Sequence, residues 1–266
     1  ASTLLAAASA GAAEPLPPAV QRYEQMLLRS PGPGTALEEL IAHYRKADGL
    51  EALDARWQAR LDDAKGEQAA AYRQLLGLFA ERRGEMEAAA TRYREAAAAV
   101  PDDYRPWVRL GELALARGEI GGAAAALRKA LERGPPLFVR QDLELTLARS
   151  LQRDGRDAEA LAVWRSLLEQ FPEEATIVNE AGGALLQAGE HAAAREVFRG
   201  LAESPGLDSF SAMQARVRLA QIAEMEGEVD RALEILHACV RQTDPAGWLH
   251  RDLRARLEGL YRAHGR

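Results

Sequence analysis

Glycine and proline recur along this chain at a regular spacing. Successive glycines stand 34 to 38 residues apart, at Gly84, Gly118, Gly155, Gly189 and Gly227. A proline follows each of them, at Pro101, Pro135, Pro172, Pro205 and Pro245. Glycine adopts the left-handed backbone that ends a helix, and proline cannot continue one. The spacing therefore predicts a repeated unit of helix, turn, helix and stop.

Within each unit, small residues alternate with one large residue at fixed offsets. The clearest unit contains Trp107, Leu110, Gly111, Ala114, Gly118, Ala123, Leu127, Ala130 and Pro135. The unit before it contains Leu76, Gly77, Ala80, Gly84, Ala89, Tyr93, Ala96 and Pro101. Small residues let two helix backbones approach closely, while a large side chain such as Tyr93, Trp164 or Phe198 fills the space beside them.

This pattern resembles that of the tetratricopeptide-repeat family, strongly over residues 70–244 and weakly over residues 35–65. The resemblance implies an all-α fold, a right-handed superhelical solenoid of antiparallel helix pairs. In that family the first helices of the pairs line a concave groove, where a peptide or a partner subunit binds. The resemblance is specific for the fold and does not identify the ligand.

The pattern also predicts how the chain is divided. We expect an Ala/Pro-rich tail over residues 1–16, a capping helix and a divergent helix pair over 17–66, and a C-terminal capping helix over 247–264. Between them, residues 70–246 hold five repeat units that start near residues 70, 104, 141, 175 and 213. Four tryptophans fall on predicted core stripes: Trp57, Trp107, Trp164 and Trp248.

The N-terminal segment allows two interpretations. Residues 4–13 are uncharged and rich in alanine, and small residues precede Glu14, but no basic region precedes them and the chain starts without Met. Residues 1–13 are therefore either a signal-peptide remnant or an alanine-rich tail. The first interpretation predicts a bacterial protein exported to the periplasm or cell envelope, and the second a cytoplasmic one.

Charge and composition argue against several classes of partner. The formal net charge is −6, which does not favour nucleic acid, because phosphate binding needs clustered Lys and Arg. No run of about 18 apolar residues is present, so no transmembrane segment is expected in this chain. The single cysteine, Cys239, cannot form an intramolecular disulfide and occupies a small-residue position, which predicts a buried side chain.

No catalytic, cofactor-binding or metal-binding pattern stands out. The five histidines lie in different units without a Cys or His companion at ligand spacing. His237 lies two residues from Cys239, where the two side chains point to different faces of a helix. The paired glycines lack the preceding strand of a phosphate-binding loop. We therefore expect no enzyme activity, no cofactor and no metal.

The expected function is a scaffold or adaptor that binds a protein or peptide in the concave groove. The polar side chains expected to line that groove are Arg105, Arg109, Arg149, Gln152, Asn179, Gln187, Arg218 and Gln221. Two alternatives stay open, a regulatory or targeting domain of a larger protein and a structural solenoid that associates weakly through its ends. The family subgroup that binds chaperone C-termini carries two asparagines in its groove. At the corresponding positions of this chain, only Asn179 is an asparagine.

Overall fold

A computed structural model describes residues 17–47, 49–204 and 209–265, and all regular secondary structure in these ranges is α-helical. The predicted tail over residues 1–16 and the predicted stop at Pro205 lie outside the described residues. The chain divides into two compact units, residues 1–117 and residues 118–266. The all-α prediction is confirmed.

In the first unit, each described helix packs on the next one along the chain, and α1 also packs on α4. The helices are α1 (Pro18–Arg29), α2 (Thr35–Lys46), α3 (Leu50–Asp63), α4 (Gly66–Arg82), α5 (Met86–Ala99) and α6 (Arg105–Ala116). Proline at the first position of α1 suits a helix start, because its missing N–H would have no partner there.

In the second unit, consecutive helices likewise pack on each other from α7 to α14. The helices are α7 (Ile120–Leu131), α8 (Leu137–Arg153), α9 (Asp157–Gln170), α10 (Ala175–Gln187), α11 (His191–Glu203), α12 (Ser209–Met225), α13 (Val229–Arg241) and α14 (Trp248–Ala263). Short connections make neighbouring helices antiparallel, so α10, α12 and α14 run in the same direction. None of the described helices is both long enough and apolar enough to cross a membrane.

The turn glycines end the first helix of a pair as predicted. Gly189 has a φ of 75°, and the N–H of Glu190 after it donates to the carbonyl of Leu185 at 2.9 Å. This six-to-one hydrogen bond is the Schellman arrangement, which requires a left-handed residue. The same bond recurs at Glu85, Arg156 and Glu228, each after a glycine of positive φ.

The predicted contact between small and large residues holds the pairs together. A Cβ added to Gly182 on α10 would lie 2.7 Å from Cε2 of Phe198 on α11. At Gly77 on α4, an added Cβ would lie 2.7 Å from Cε1 of Tyr93 on α5. Phe198 and Tyr93 are both fully buried. The missing side chain of glycine is thus what lets each aromatic ring lie against the neighbouring backbone.

The structure tests the predicted burial of all four tryptophans. Trp57 and Trp164 are fully buried and Trp107 is partly buried, whereas Trp248 is exposed over 61% of its surface. The prediction of a core position for Trp248 is therefore wrong. Trp248 is the first residue of α14, the last described helix, and its ring lies beside Phe210 at the start of α12.

In helix α1, Met26 is exposed while Glu24 is buried. Glu24 accepts two hydrogen bonds from Arg56, at 3.1 and 2.9 Å, and one from the indole of Trp57 at 3.3 Å. A buried carboxylate is tolerated when it is paired in this way. The inward stripe of α1 is consequently Val20, Glu24 and Leu27.

The contact at Gly182 predicts opposite effects for two adjacent substitutions. We expect Gly182→Ala to destabilise the protein by about 1–3 kcal/mol, because the methyl group overpacks against Phe198. Gly183→Ala is the matched control, since nothing lies within 4 Å of its added Cβ, and it should stabilise by about 0.5–1 kcal/mol through helix propensity. Urea unfolding followed by circular dichroism measures both. Equal effects of the two substitutions would contradict the packing argument.

The burial of the Cys239 thiol predicts slow alkylation of the native protein. Cys239 is 1% exposed in a core with Leu236 and Leu253, and burial raises the pKa of its thiol. Iodoacetamide should alkylate the native protein roughly a hundredfold or more slowly than the urea-unfolded chain, because reaction must wait for opening. Mass spectrometry of timed samples measures the rate. Equal rates in the two states would contradict the burial.

Candidate functional site

A hollow in the second unit lies between three parallel first helices. It has a volume of about 390 Å³ and takes residues from α10, α12 and α14. Its lining residues are Asn179, Phe210, Met213, Gln214, Val217, Arg218, Gln221, Trp248, Leu249, Asp252 and Arg256. Three of the predicted groove residues, Asn179, Arg218 and Gln221, are thus brought together here.

Two exposed aromatic side chains form one end of this pocket. Phe210 is 40% exposed and Trp248 is 61% exposed, and their ring centroids lie 5.8 Å apart with an interplanar angle of 56°. Both residues stand in the first turn of a helix, and Met213 is buried beside them. Large exposed aromatic surface at a hollow is typical of binding sites, because rings bury much area at little entropic cost.

The polar wall of the pocket is preorganised by bonds within its helices. Arg218 donates to Oε1 of Gln221 at 3.0 Å, and Arg256 donates to Oδ2 of Asp252 at 2.7 Å. Asn179 donates to the carbonyl of Ala175 at 2.8 Å. These bonds leave the amide oxygen of Asn179 and further N–H groups of Arg218 able to meet a ligand.

A second hollow continues the same groove along α12 and α14. Its volume is about 450 Å³, and it shares Val217, Arg218, Gln221 and Arg256 with the first. Glu224 lines its far side, 3.5 Å from Nε2 of His264. The two arginines therefore stand between an aromatic hollow and an acidic one. We call the two hollows together the α12–α14 groove.

The other predicted residues of the second unit have contacts of their own. Gln152 accepts a hydrogen bond from the indole of the buried Trp164 at 3.1 Å, which ties α8 to α9. Arg149 forms a two-point ion pair with Glu180, at 2.7 and 2.5 Å, between α8 and α10. Gln187 is exposed at the end of α10. None of these three lines the α12–α14 groove.

In the first unit, Arg109 belongs to a polar cluster that joins three helices. Arg109 pairs with Glu81 of α4 and with Glu112 of α6, and the hydroxyl of Tyr93 on α5 donates to Glu81. Burial, followed by the bond to Glu81, raises the pKa of Tyr93, and burial also raises the pKa of Glu112. The guanidinium of Arg109 is thus committed to a contact inside the protein.

Arg105, the first residue of α6, links the loop before that helix to the end of α1. Its guanidinium donates to both carboxylate oxygens of Asp103, at 2.8 and 3.0 Å, and to the carbonyl of Arg29 at 3.3 Å. The buried Gln74 of α4 donates to the same carboxylate at 2.9 Å. A hollow of about 750 Å³ lies here, and the end of α1 forms part of its wall. The chain's own first helix thus lines this hollow.

Sequence reasoning missed Phe210 and Trp248 as site residues. Helical spacing predicted Trp248 to be core, and Phe210 was not singled out. The signal that could have found them is positional, because both aromatics open a first helix of the repeat, where side chains lie at the edge of the stack. Among the described residues, no group of three or more His, Cys, Asp or Glu side chains could hold a metal ion.

Comparison with known families agrees with the helix pattern. The sequence profile of the tetratricopeptide repeat matches residues 75–137 and 145–212. No curated protein matches the chain.

Solved structures share the fold at low sequence identity. A chain described as "YrrB: a TPR protein with an unusual peptide-binding site" is 16% identical, with a TM-score of 0.54 over 75% of this chain and 97% of its own. A tetratricopeptide repeat protein from Parabacteroides merdae is 19% identical, with a TM-score of 0.54 over 74% of each chain. A chain of the Naa15/Naa10 structure bound to HypK-THB is 16% identical, with a TM-score of 0.58 over 91% of this chain and 36% of its own.

The contrast between Arg109 and Arg218 predicts different effects on stability. Arg109→Gln should destabilise the protein by about 1–3 kcal/mol, because it removes the charged partner of the partly buried Glu81 and of the exposed Glu112. Arg218→Gln is the control and should change stability by less than about 0.5 kcal/mol, since its side chain is exposed. Thermal unfolding of both variants measures the difference. A neutral Arg109→Gln would show that the cluster is not structural.

Proposed function

Because this chain is a tetratricopeptide-repeat protein, we propose that it is a non-catalytic scaffold that binds a peptide segment of another protein in the α12–α14 groove. Proteins built from these repeats are generally interaction scaffolds, and the family is generally non-catalytic. The finer assignment, to a peptide and to this groove, is our proposal.

The observation that carries the proposal is the exposed pair of Phe210 and Trp248 at the mouth of a pocket with polar walls. Leaving two large aromatic surfaces in water is unfavourable, at about 25 cal/mol per Å² of apolar area. A ligand that covers them recovers this free energy. Binding energy in protein interfaces concentrates on such residues, with Trp, Tyr and Arg most often dominant.

The polar groups of the groove suit an extended peptide. Asn179 and Gln221 offer amide groups that can bond to the backbone N–H and C=O groups of a ligand. Arg218 can donate to a carbonyl or to a carboxylate. The YrrB structure is described as having an unusual peptide-binding site, and at 16% identity that likeness supports the fold only. Peptide binding here rests on the groove itself.

Loss of one aromatic side chain should abolish capture of the partner. With the full chain as bait in lysate of the source cells, we expect Trp248→Ala to reduce recovery of the bound protein roughly tenfold or more, as for an interface aromatic. The matched control is Phe138→Ala. Phe138 is 72% exposed in the first turn of α8, outside the pocket, and its loss should leave recovery unchanged.

The capture experiment also has outcomes that contradict the proposal. Equal loss with Phe138→Ala and Trp248→Ala would show that the loss is not specific to the α12–α14 groove. Unchanged recovery with Trp248→Ala would place the interface outside the groove. Isothermal titration of the purified partner against each variant then gives the affinity of that variant relative to the unsubstituted chain.

A further inference from the structure

The α12–α14 groove repeats the same pair of residue types on both of its helices. Phe210 and Arg218 lie eight residues apart on α12, and Trp248 and Arg256 lie eight residues apart on α14. The two helices run in the same direction, since Phe210 contacts Trp248 near their starts and Glu224 meets His264 near their ends. The aromatic pair and the arginine pair therefore lie at two separate levels of the groove.

The distance between these levels follows from helix geometry. At 1.5 Å per residue, eight residues of α-helix span about 12 Å. Arg256 donates to Asp252, one helical turn nearer the start of α14, so its guanidinium lies less than this rise from the aromatic level. An extended peptide advances about 3.3 Å per residue. Two to four residues of such a peptide would therefore connect the aromatic level to the arginine level.

The charges at the arginine level favour an anionic group. Arg256 is paired with Asp252, whereas Arg218 donates to the neutral amide oxygen of Gln221. Within the part of the chain that the structure describes, no carboxylate lies within ion-pair distance of Arg218. The two arginines and one aspartate leave one positive charge in excess, in a chain whose net charge is −6. Arginine binds a carboxylate through two parallel hydrogen bonds, which neutral acceptors cannot match.

The end of the groove beyond the arginines has the opposite charge. Glu224 lines the second hollow together with the apolar Leu236 and Leu260. A second acid of a ligand would meet repulsion there, and like charges placed together cost free energy across an interface. The favourable position for an acidic side chain is thus confined to the arginine level.

We propose that the α12–α14 groove selects an acidic peptide segment, in which one Asp or Glu lies two to four residues from a large apolar side chain. The apolar side chain packs on Trp248 and Phe210, and the carboxylate is held by Arg218 with Arg256 beside it. This inference rests on the proposed function, since it specifies the ligand of the same groove.

A random library of displayed 12-residue peptides, selected on the full chain, tests this ligand directly. Selected peptides should be enriched in Asp or Glu at two to four residues from Phe, Trp, Tyr or Leu. Selection on Arg218→Gln should lose the acidic enrichment and keep the apolar one. Selection on Arg251→Gln should retain both, because Arg251 is an exposed arginine of α14 outside the groove lining.

A double-mutant cycle on one selected peptide then measures the contact. Fluorescence anisotropy should give roughly tenfold or greater loss of affinity for Arg218→Gln with the acidic peptide, as for a hydrogen bond to a charged group. With the peptide's acid changed to its amide, the same substitution should cost about twofold or less.

The outcomes separate this inference from the proposed function. Peptides that depend on Trp248 but show no acidic enrichment would overturn the ligand assignment and leave groove binding intact. Peptides that are unaffected by Trp248→Ala, or the absence of any selected peptide, would overturn the proposed function as well. A cycle that gives equal losses for the acid and amide peptides would overturn the role of Arg218.

Discussion

In each helix pair, glycine or alanine on one helix lies in close contact with a large side chain on the other. This contact sets the distance between the two helices, and the other contacts in each unit depend on that distance. At Gly182 the ring of Phe198 occupies the space that a methyl group would need. Interiors packed at this density leave little freedom for sliding or rotation. Each pair therefore becomes a rigid element of fixed width, and the turn at a glycine such as Gly189 fixes where its second helix begins.

Regular pairs place equivalent residues of the first helices at equivalent levels. Phe210 and Trp248 meet because α12 and α14 start in register, and Arg218 and Arg256 follow at the same offset on each helix. The packing that buries one face of these helices thereby aligns the residues on the opposite, exposed face. The proposed binding surface in the second unit is in this sense a consequence of the core, since no separate loop is needed to assemble it.

Sequence periodicity could predict the helices, the turns and the paired core, because each repeat makes the same kind of contact with its neighbour. It failed where a side chain's surroundings depend on the end of a stack. Trp248 has helical spacing typical of a core residue, yet α14 is the last described helix and its first turn stays exposed. At the other end, the buried Glu24 is explained only by Arg56 and Trp57, which lie more than thirty residues away.

For the same reason, the sequence alone does not distinguish the roles of Arg109 and Arg218. Arg109 and Arg218 both fall on first helices at expected groove positions. Glu81 on the neighbouring first helix and Glu112 pair with Arg109, whereas Arg218 donates to the amide oxygen of Gln221. An arginine whose charge is satisfied inside the protein contributes to stability, because removing it leaves a partly buried carboxylate such as that of Glu81 without its cationic partner. One that keeps unpaired donors in an aromatic-lined groove is available to a ligand. The position of a neighbouring carboxylate, which only the folded chain fixes, therefore decides between a structural and a binding role.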